Sequence, residues 1–312
     1  MNIKETKESY KNNKIDKNAF ITGMHKFHEV LFDLSNNLRT TEISKIEIND
    51  SGVIFTSRET NLHPGGAKFY VDVLDKRITP LEAFNFDQYE KEDSDMLYNL
   101  VSDNDVIFDI GANIGWYSNH LAKKLSSAQI HSFEPIPETF NQLLKNVKVN
   151  NVENVKVNNL ALSDEKKILT FFYSPTQTGA SSSINITENS EMIKLVCQTS
   201  TIDAYIEDNN INQLDFIKCD VEGAEFFVFK GGSQAIEKYT PIVFSEMLRK
   251  WAAKFGYHPN DIIDFFNNFG YCTFVSSEGK LVKIYKVTEE TNDTNFFFLH
   301  PIKHKMKIDQ LS

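Results

Sequence analysis

The segment that most limits what this chain can fold into runs from Val106 to Trp116. Val106-Ile107-Phe108-Asp109-Ile110 is an apolar run broken by one carboxylate. It enters Gly111-Ala112-Asn113-Ile114-Gly115 directly, and Trp116 opens a helix-period segment. A strand, a glycine turn and a helix in that order let backbone approach a ligand closely, because glycine has no Cβ. The helix N-terminus that follows aims free N–H groups at whatever binds there. Repeated units of this kind build a mostly parallel sheet covered by helices. Further strands are expected at Gln129–Phe133, Val155–Asn159, Leu214–Cys219, Ile242–Phe244, Tyr271–Val275 and Phe296–Leu299. Helices are expected at Trp116–Leu125 and Glu138–Val149, the second with Phe140, Leu143, Leu144 and Val147 on one face. The fold class is therefore α/β, with a mostly parallel seven-stranded sheet and helices on both faces.

The chain before residue 96 lacks this rhythm. Met24, Phe27, Leu31, Leu34 and Leu38 fall on one face of a helix, and short strands are expected at Ile43–Ile48, Val53–Thr56 and Lys68–Val73. The expected organisation is an accessory α+β region over 1–95, a main domain over 96–302 and a tail over 303–312. The apolar face of the Met24–Leu38 helix needs a partner, which predicts a lid or an oligomerisation element, and with it a homo-oligomer. The stretch from Ile168 to Thr199 also breaks the alternation. Its strand-like runs flank a polar loop, Thr178 to Ser183, and it reads as an insertion over the edge of the active site.

Net charge is −10, from 33 basic and 43 acidic side chains, so the chain repels phosphate backbones on average and no nucleic-acid partner is expected. The lysine-rich start, Lys4 to Lys17, reads as a solvated, frayed terminus. Cys197, Cys219 and Cys272 are far apart and show neither zinc nor disulfide spacing. The first residues carry no apolar leader, and Phe296–Leu299 is too short to span a bilayer. A cytoplasmic setting without a membrane span is expected.

The glycine turn differs from a dinucleotide fingerprint. Its spacing is Asp-x-Gly-x-x-x-Gly, and Asn113 stands where the fingerprint has its middle glycine. A carboxylate at Asp109 is poor for a pyrophosphate and suits a ligand carrying an ammonium group. Gly111, Asn113 and Gly115 would cradle that ligand. Glu134 ends the second strand, 19 residues after Gly115, where a carboxylate accepts hydrogen bonds from both ribose hydroxyls. Ser163 and Asp164, after the third strand, are candidates for the amino group of the base, although a Ser-Asp pair is also ordinary turn chemistry. Together these positions point to a nucleoside-type ligand with a charged amine.

A second acidic group lies further along. Asp220 ends the fourth strand, Glu222 and Glu225 follow it, and Glu246 ends the next. One reading makes Asp220 a general base or a ligand to the cofactor amine, with Glu246 as a further catalytic candidate. Another makes Asp220, Glu222 and Glu246 an oxygen-rich site for Mg²⁺. A plainer reading has Glu222 and Glu225 complementing a helix dipole. His258, in a loop before a helix, is the histidine candidate for the base, and His120 a lesser one. Lys218, two residues before Asp220 on the same strand face, is placed to pair with a carboxylate.

These residues resemble the FkbM family of S-adenosylmethionine (SAM)-dependent methyltransferases. The matching pieces are Phe108 to Gly115, Phe133-Glu134-Pro135, Ala161 to Asp164, Thr178 to Ser182 and, most specifically, Ile217-Lys218-Cys219-Asp220-Val221-Glu222-Gly223-Ala224-Glu225. The resemblance runs from about residue 95 to 275 and leaves out the N-terminal region. It implies a Rossmann-like class I methyltransferase fold, SAM as cofactor and O-methylation of a carbohydrate or small natural-product hydroxyl. The competing readings are an RNA or protein methyltransferase of the same fold, a NAD-dependent oxidoreductase and a non-catalytic scaffold. The last leaves the acids around Asp220 without a purpose.

Overall fold

The computed structural model describes residues 2–62, 65–176, 178–183 and 192–312. The N-terminal region comprises α1 (Ile3–Lys11), α2 (Lys17–Asn37), β1 (Ile43–Asn49), β2 (Gly52–Ser57), β3 (Lys68–Val71), α3 (Thr79–Asn85) and α4 (Lys91–Leu100). The alternating part follows as β4 (Val106–Ile110), α5 (Trp116–Lys124), β5 (Gln129–Phe133), α6 (Pro137–Asn150), β6 (Val155–Asn158), β7 (Ala161–Leu162), β8 (Ile168–Tyr173), β9 (Ile193–Ser200), α7 (Ile202–Asp208) and β10 (Phe216–Cys219). It continues with α8 (Glu225–Lys230), α9 (Ser233–Tyr239), β11 (Ile242–Glu246), α10 (Arg249–Lys254), α11 (Pro259–Asn268), β12 (Cys272–Ser277), β13 (Lys280–Ile284), β14 (Asn295–Leu299) and α12 (Lys305–Leu311).

The main sheet has the order β13-β12-β14-β11-β10-β4-β5-β6. The strands from β11 to β6 pair in parallel, whereas β14, β12 and β13 join through antiparallel pairs. This is the expected sheet with one more strand than the seven read from the sequence. The addition, β13, turns back from β12 through Glu278-Gly279, both in the left-handed region, which suits a two-residue hairpin. It lies at the sheet edge with Leu281 as its one buried residue, so it carries no apolar run to read. The chain crosses from one half of the sheet to the other between β4 and β10, and the carboxyl ends of those two strands open the crevice where ligands bind in such sheets.

All five residues of β4 and all five of β14 are buried, as strands covered on both faces require. Much of the chain's phenylalanine packs here: Phe244 stacks on Phe297 at 4.8 Å, and Phe266 on Phe298 at 4.2 Å.

The N-terminal sheet, β1-β2-β3, is antiparallel and is joined to the main domain by polar side chains of α6. Asn150 bonds both the N–H and the carbonyl of Lys68, each at 2.8 Å. Asn146 accepts from the Tyr70 N–H at 3.0 Å, and Gln142 donates to the Tyr70 carbonyl at 2.8 Å. These groups complete the open edge of β3. Phe69 packs on Trp116 of α5 at 4.8 Å, so one core runs through both parts. The boundary expected at residue 95 falls inside α4, and the tail expected at 303–312 contains α12.

The start of the chain departs from the expected frayed terminus. Asn2 and Glu5 form a reciprocal cap on α1, and Tyr10 stacks on Phe20 of α2 at 4.5 Å. Helix α2 begins earlier than its apolar stripe because Asp16 caps it. It buries no residue fully; Leu34 and Leu38 touch the core, while Val30, Leu31 and Phe32 stay exposed. The expected insertion takes the form of β8 and β9, an antiparallel pair; residues 184–191 between them lie outside the described residues. Among the described residues no helix is long and apolar enough to cross a membrane.

Candidate active site

A cavity of about 540 Å³ opens at the carboxyl ends of β4, β5, β10 and β11. The glycine turn forms its floor. Gly111 has φ +74°, and a Cβ there would lie 1.7 Å from the Asp220 carbonyl oxygen, so only glycine lets β4 and β10 end side by side. Gly115 behaves differently. Its φ is +85°, and a Cβ would meet Leu143 Cδ1 at 2.3 Å, so it serves the packing of α5 against α6 and does not line the cavity. Asn113 lines the cavity with φ +48°, a conformation that asparagine tolerates better than most residues, and its N–H donates to Glu134 Oε2 at 3.1 Å.

Glu134 is 6% exposed and faces the cavity. Each carboxylate oxygen takes one backbone N–H, Oε2 from Asn113 and Oε1 from Ile136 at 2.9 Å. Burial nevertheless pushes its pKa up to about 7, because two backbone bonds do not replace the water a carboxylate loses.

The structure places Asp109 beneath the cavity, not on it. Its carboxylate is fully buried, accepts a hydrogen bond from Ser118 and lies 3.5 Å from Lys218 Nζ. The same Nζ lies 3.5 Å from Asp220 Oδ2 and donates to the Gly111 carbonyl at 3.0 Å. Burial works against the Lys218 charge, but Asp220, Asp109 and Glu90 outweigh it and raise its pKa. The ammonium that Asp109 meets here is thus the protein's own. The pair fixes the ends of β4 and β10 together, and a buried charge tolerates burial only with such a partner.

Asp220, Glu222 and Glu246 line the cavity, each offering a carboxylate oxygen within 4.8 Å of the others. Burial first, and then the Asp220 charge, raise the pKa values of Glu222 and Glu246 well above the usual carboxylate range. Neither Glu222 nor Glu246 makes a side-chain hydrogen bond among the described residues. Glu225 has other work: it accepts from the N–H groups of Val221 and Gly223 and from the Tyr257 hydroxyl, bracing the loop from behind.

Three further expectations are corrected by position. Ser163 and Asp164 do not line the cavity. Ser163 donates to Asp164 at 3.1 Å, and Asp164 faces Lys167 at 3.7 Å. The wall there is the apolar set Leu160, Ala161, Leu162 and Phe171. His258 is exposed and caps α11, its Nδ1 accepting the Asn260 N–H at 3.1 Å, so its ring is committed to the helix. His120 is buried, its Nδ1 bonded to the Trp116 carbonyl at 2.8 Å and its ring packed on Phe69 and Trp116.

Sequence reasoning expected the N-terminal region as a lid or oligomerisation element but named none of the residues it brings to the cavity. Arg77, Tyr89 and Glu90 line the cavity, as do Lys250 and Trp251 from α10. Glu90 has a left-handed backbone, accepts from the Tyr117 hydroxyl at 2.8 Å, and is pushed up to about 7 by burial and by Asp220. These residues sit in connecting segments or in a helix of six residues, where no periodicity marks them. Trp116 and Tyr117 also line the cavity, besides packing their helix.

Residues 109–272 match the family described as the methyltransferase FkbM domain. Methyltransferase 1 of Beauveria bassiana is 27% identical, over 41% of this chain and 59% of that protein. The hexuronic acid methyltransferase AglP of Haloferax volcanii is 28% identical, over 47% of this chain and 58% of that protein. The chain therefore spans less than two thirds of the length of these two relatives. The crystal structure of a methyltransferase FkbM from Methylobacillus flagellatus aligns with a TM-score of 0.42 at 15% identity, over 67% of this chain and 55% of that one.

Proposed function

This chain belongs to the FkbM methyltransferase family, and from that premise we propose that it transfers the methyl group of SAM to a hydroxyl oxygen of a carbohydrate or small natural product. The observation that carries the reading is Glu134. It is a buried carboxylate at the end of the second strand, facing the cavity, with one backbone N–H on each oxygen and capacity left for a vicinal diol. The residues present fit the cofactor. Glu134 receives the ribose hydroxyls, and Gly111 permits close approach of the turn. The apolar wall of Leu160, Ala161, Leu162 and Phe171 takes the base. Asp109 acts from below by holding Lys218 and hence the position of Asp220.

SAM supplies an electrophilic methyl group on a sulfonium. The chain orients the acceptor and takes its proton, because a neutral hydroxyl is a poor nucleophile. Asp220 and Glu246 are the carboxylates we assign to that proton. The carbohydrate class draws support from the hexuronic acid named for the Haloferax relative and from a cavity that mixes Trp251 and Tyr89 with many carboxylates. A second reading is favoured by one observation, the three carboxylate oxygens within 4.8 Å at Asp220, Glu222 and Glu246. Mg²⁺ held there would supply positive charge against an ionising hydroxyl. A reducing cytoplasmic setting accords with three free cysteines.

Calorimetric titration with SAM, with NAD as control and with and without Mg²⁺, tests the reading. Micromolar SAM binding without a response to NAD is expected. Preference for NAD would overturn it, and binding of Mg²⁺ that Glu246→Gln abolishes would select the second reading.

A further inference from the structure

Asp75 lies outside the span matched by the family, in the segment between β3 and α3, and is 1% exposed. Its Oδ1 accepts the Arg77 N–H at 2.9 Å. Its Oδ2 accepts both the N–H of Thr178, at 3.1 Å, and the Thr178 hydroxyl, at 2.6 Å. A backbone bond from the Lys76 N–H to the Thr176 carbonyl, 3.2 Å long, lies alongside. Thr178 begins a short turn whose residues Thr178, Gly179 and Ser181 line the cavity. The turn crosses Asn113, whose Oδ1 is 3.4 Å from the Thr178 hydroxyl, and at its far side Ser182 donates to the Glu222 carbonyl at 3.1 Å.

A buried carboxylate costs free energy unless its oxygens are hydrogen-bonded, and bonds to a charged acceptor are about twice as strong as neutral ones. Here two of the three bonds go to one residue 103 positions away. The Arg77 N–H satisfies only Oδ1, and Oδ2 takes its bonds from Thr178. Those two bonds serve the Thr178–Ser182 strap, and the strap meets the two groups that shape the floor: Asn113, whose N–H holds Glu134, and the loop carrying Glu222.

We propose that Asp75 is a positioning residue for the cofactor: it fixes the Thr178–Ser182 strap as the roof over Asn113 and Glu134, so that a residue outside the family-matched span sets the affinity for SAM. The proposal rests on the methyltransferase reading above. It requires that the roof be in place before ligand arrives, since preorganisation lowers the cost of binding.

The full-length chain, Thr178→Val, Thr178→Ser and Asp75→Asn are compared by SAM titration, by ligand-free melting and by amide exchange over 178–183. Thr178→Val removes a partner of the buried Asp75, so the ligand-free melting temperature falls; SAM binding is expected to weaken about tenfold, or ~1.4 kcal/mol, and strap exchange to accelerate. Thr178→Ser, which keeps the hydroxyl, restores all three, and Asp75→Asn weakens binding at least as much as Thr178→Val. Unaltered SAM affinity in Thr178→Val, or a loss that Thr178→Ser does not restore, overturns the proposal. Absence of SAM binding by the unmodified chain overturns the functional reading instead. In that event, exchange over 178–183 still decides whether Asp75 holds the strap: faster exchange in Thr178→Val supports it, and unchanged exchange removes it.

Discussion

The two ends of the cavity are built on opposite plans. At the end lined by Gly111, Asn113 and Glu134, polar groups are already engaged by backbone: Glu134 takes two N–H groups, and the Gly111 carbonyl takes the Lys218 ammonium. At the end lined by Asp220, Glu222 and Glu246, carboxylates crowd one another, and two of them have no side-chain hydrogen bond among the described residues. The first end is set for a ligand of fixed shape. The second holds repulsion that a proton, a cation or an acceptor hydroxyl would relieve. Chemistry belongs where charge is left unsettled, and recognition where it is settled.

Substitution at the crowded end breaks the comparison most severely. Asp220→Asn is expected to lower kcat about 10²- to 10⁴-fold, the usual contribution of a positioned base. SAM affinity, measured separately by titration, should change far less, since Glu134 and the turn remain. Normal methylation by this variant would leave the acids without a catalytic task. Glu134→Gln should show the reverse pattern, with SAM binding weakened about tenfold or more, as loss of a charged hydrogen-bond acceptor implies, and kcat at saturating SAM largely kept. If both variants lose kcat and affinity alike, the two ends are not separate in function.

A pH series sharpens the contrast through the sign of the response. Burial pushes Glu134 to about 7, and ribose hydroxyls donate more strongly to its ionised form, which accepts on both oxygens. SAM affinity is therefore expected to fall as pH drops below about 7, by at most about tenfold per unit, and the dependence should vanish in Glu134→Gln. Stability of the ligand-free chain should move the other way. Glu134 and Glu90, each pushed up to about 7 mainly by burial, hold protons more tightly folded than unfolded. Their contribution is present at low pH and is lost as pH rises from the ordinary carboxylate value of 4.5 through 7. Melting temperature and SAM affinity measured between pH 6 and 8 should thus run in opposite directions.

What was legible in the sequence follows the same division. The strand–glycine–helix unit announces itself through local rules: an apolar run, a glycine at positive φ and a carboxylate at the next strand end. So the sheet, the turn and the position of Glu134 at the cavity were readable. Asp109 was misread because alternation along a strand does not say which ammonium a buried carboxylate will meet, and Lys218 reaches it first. Ser163 and Asp164 were misread because the chain leaves the cavity wall at Leu162, one residue before them. Glu90 and Asp75 were invisible for a different reason. Their roles come from contacts with Tyr117 and Thr178, at sequence distances that no local pattern spans. β13 escaped because an edge strand with one buried side chain has no apolar signature.

The smallest expected effect separates a residue that looks catalytic from one that is. His258 has the chemistry of a base and stands in a loop before a helix, yet its Nδ1 is engaged by the Asn260 N–H, while Asp261 returns a bond to the His258 N–H at 2.7 Å. That reciprocal cap gives His258→Ala a defined cost of about 0.5–2 kcal/mol in stability, as for other cap deletions. It predicts no change in kcat or in SAM affinity once the protein is folded. His258→Asn, which keeps a capping side chain, should recover most of the loss in melting temperature. A fall in kcat for His258→Ala that His258→Asn does not repair would bring the histidine back into the reaction, and the unsettled end of the cavity would then extend beyond its carboxylates.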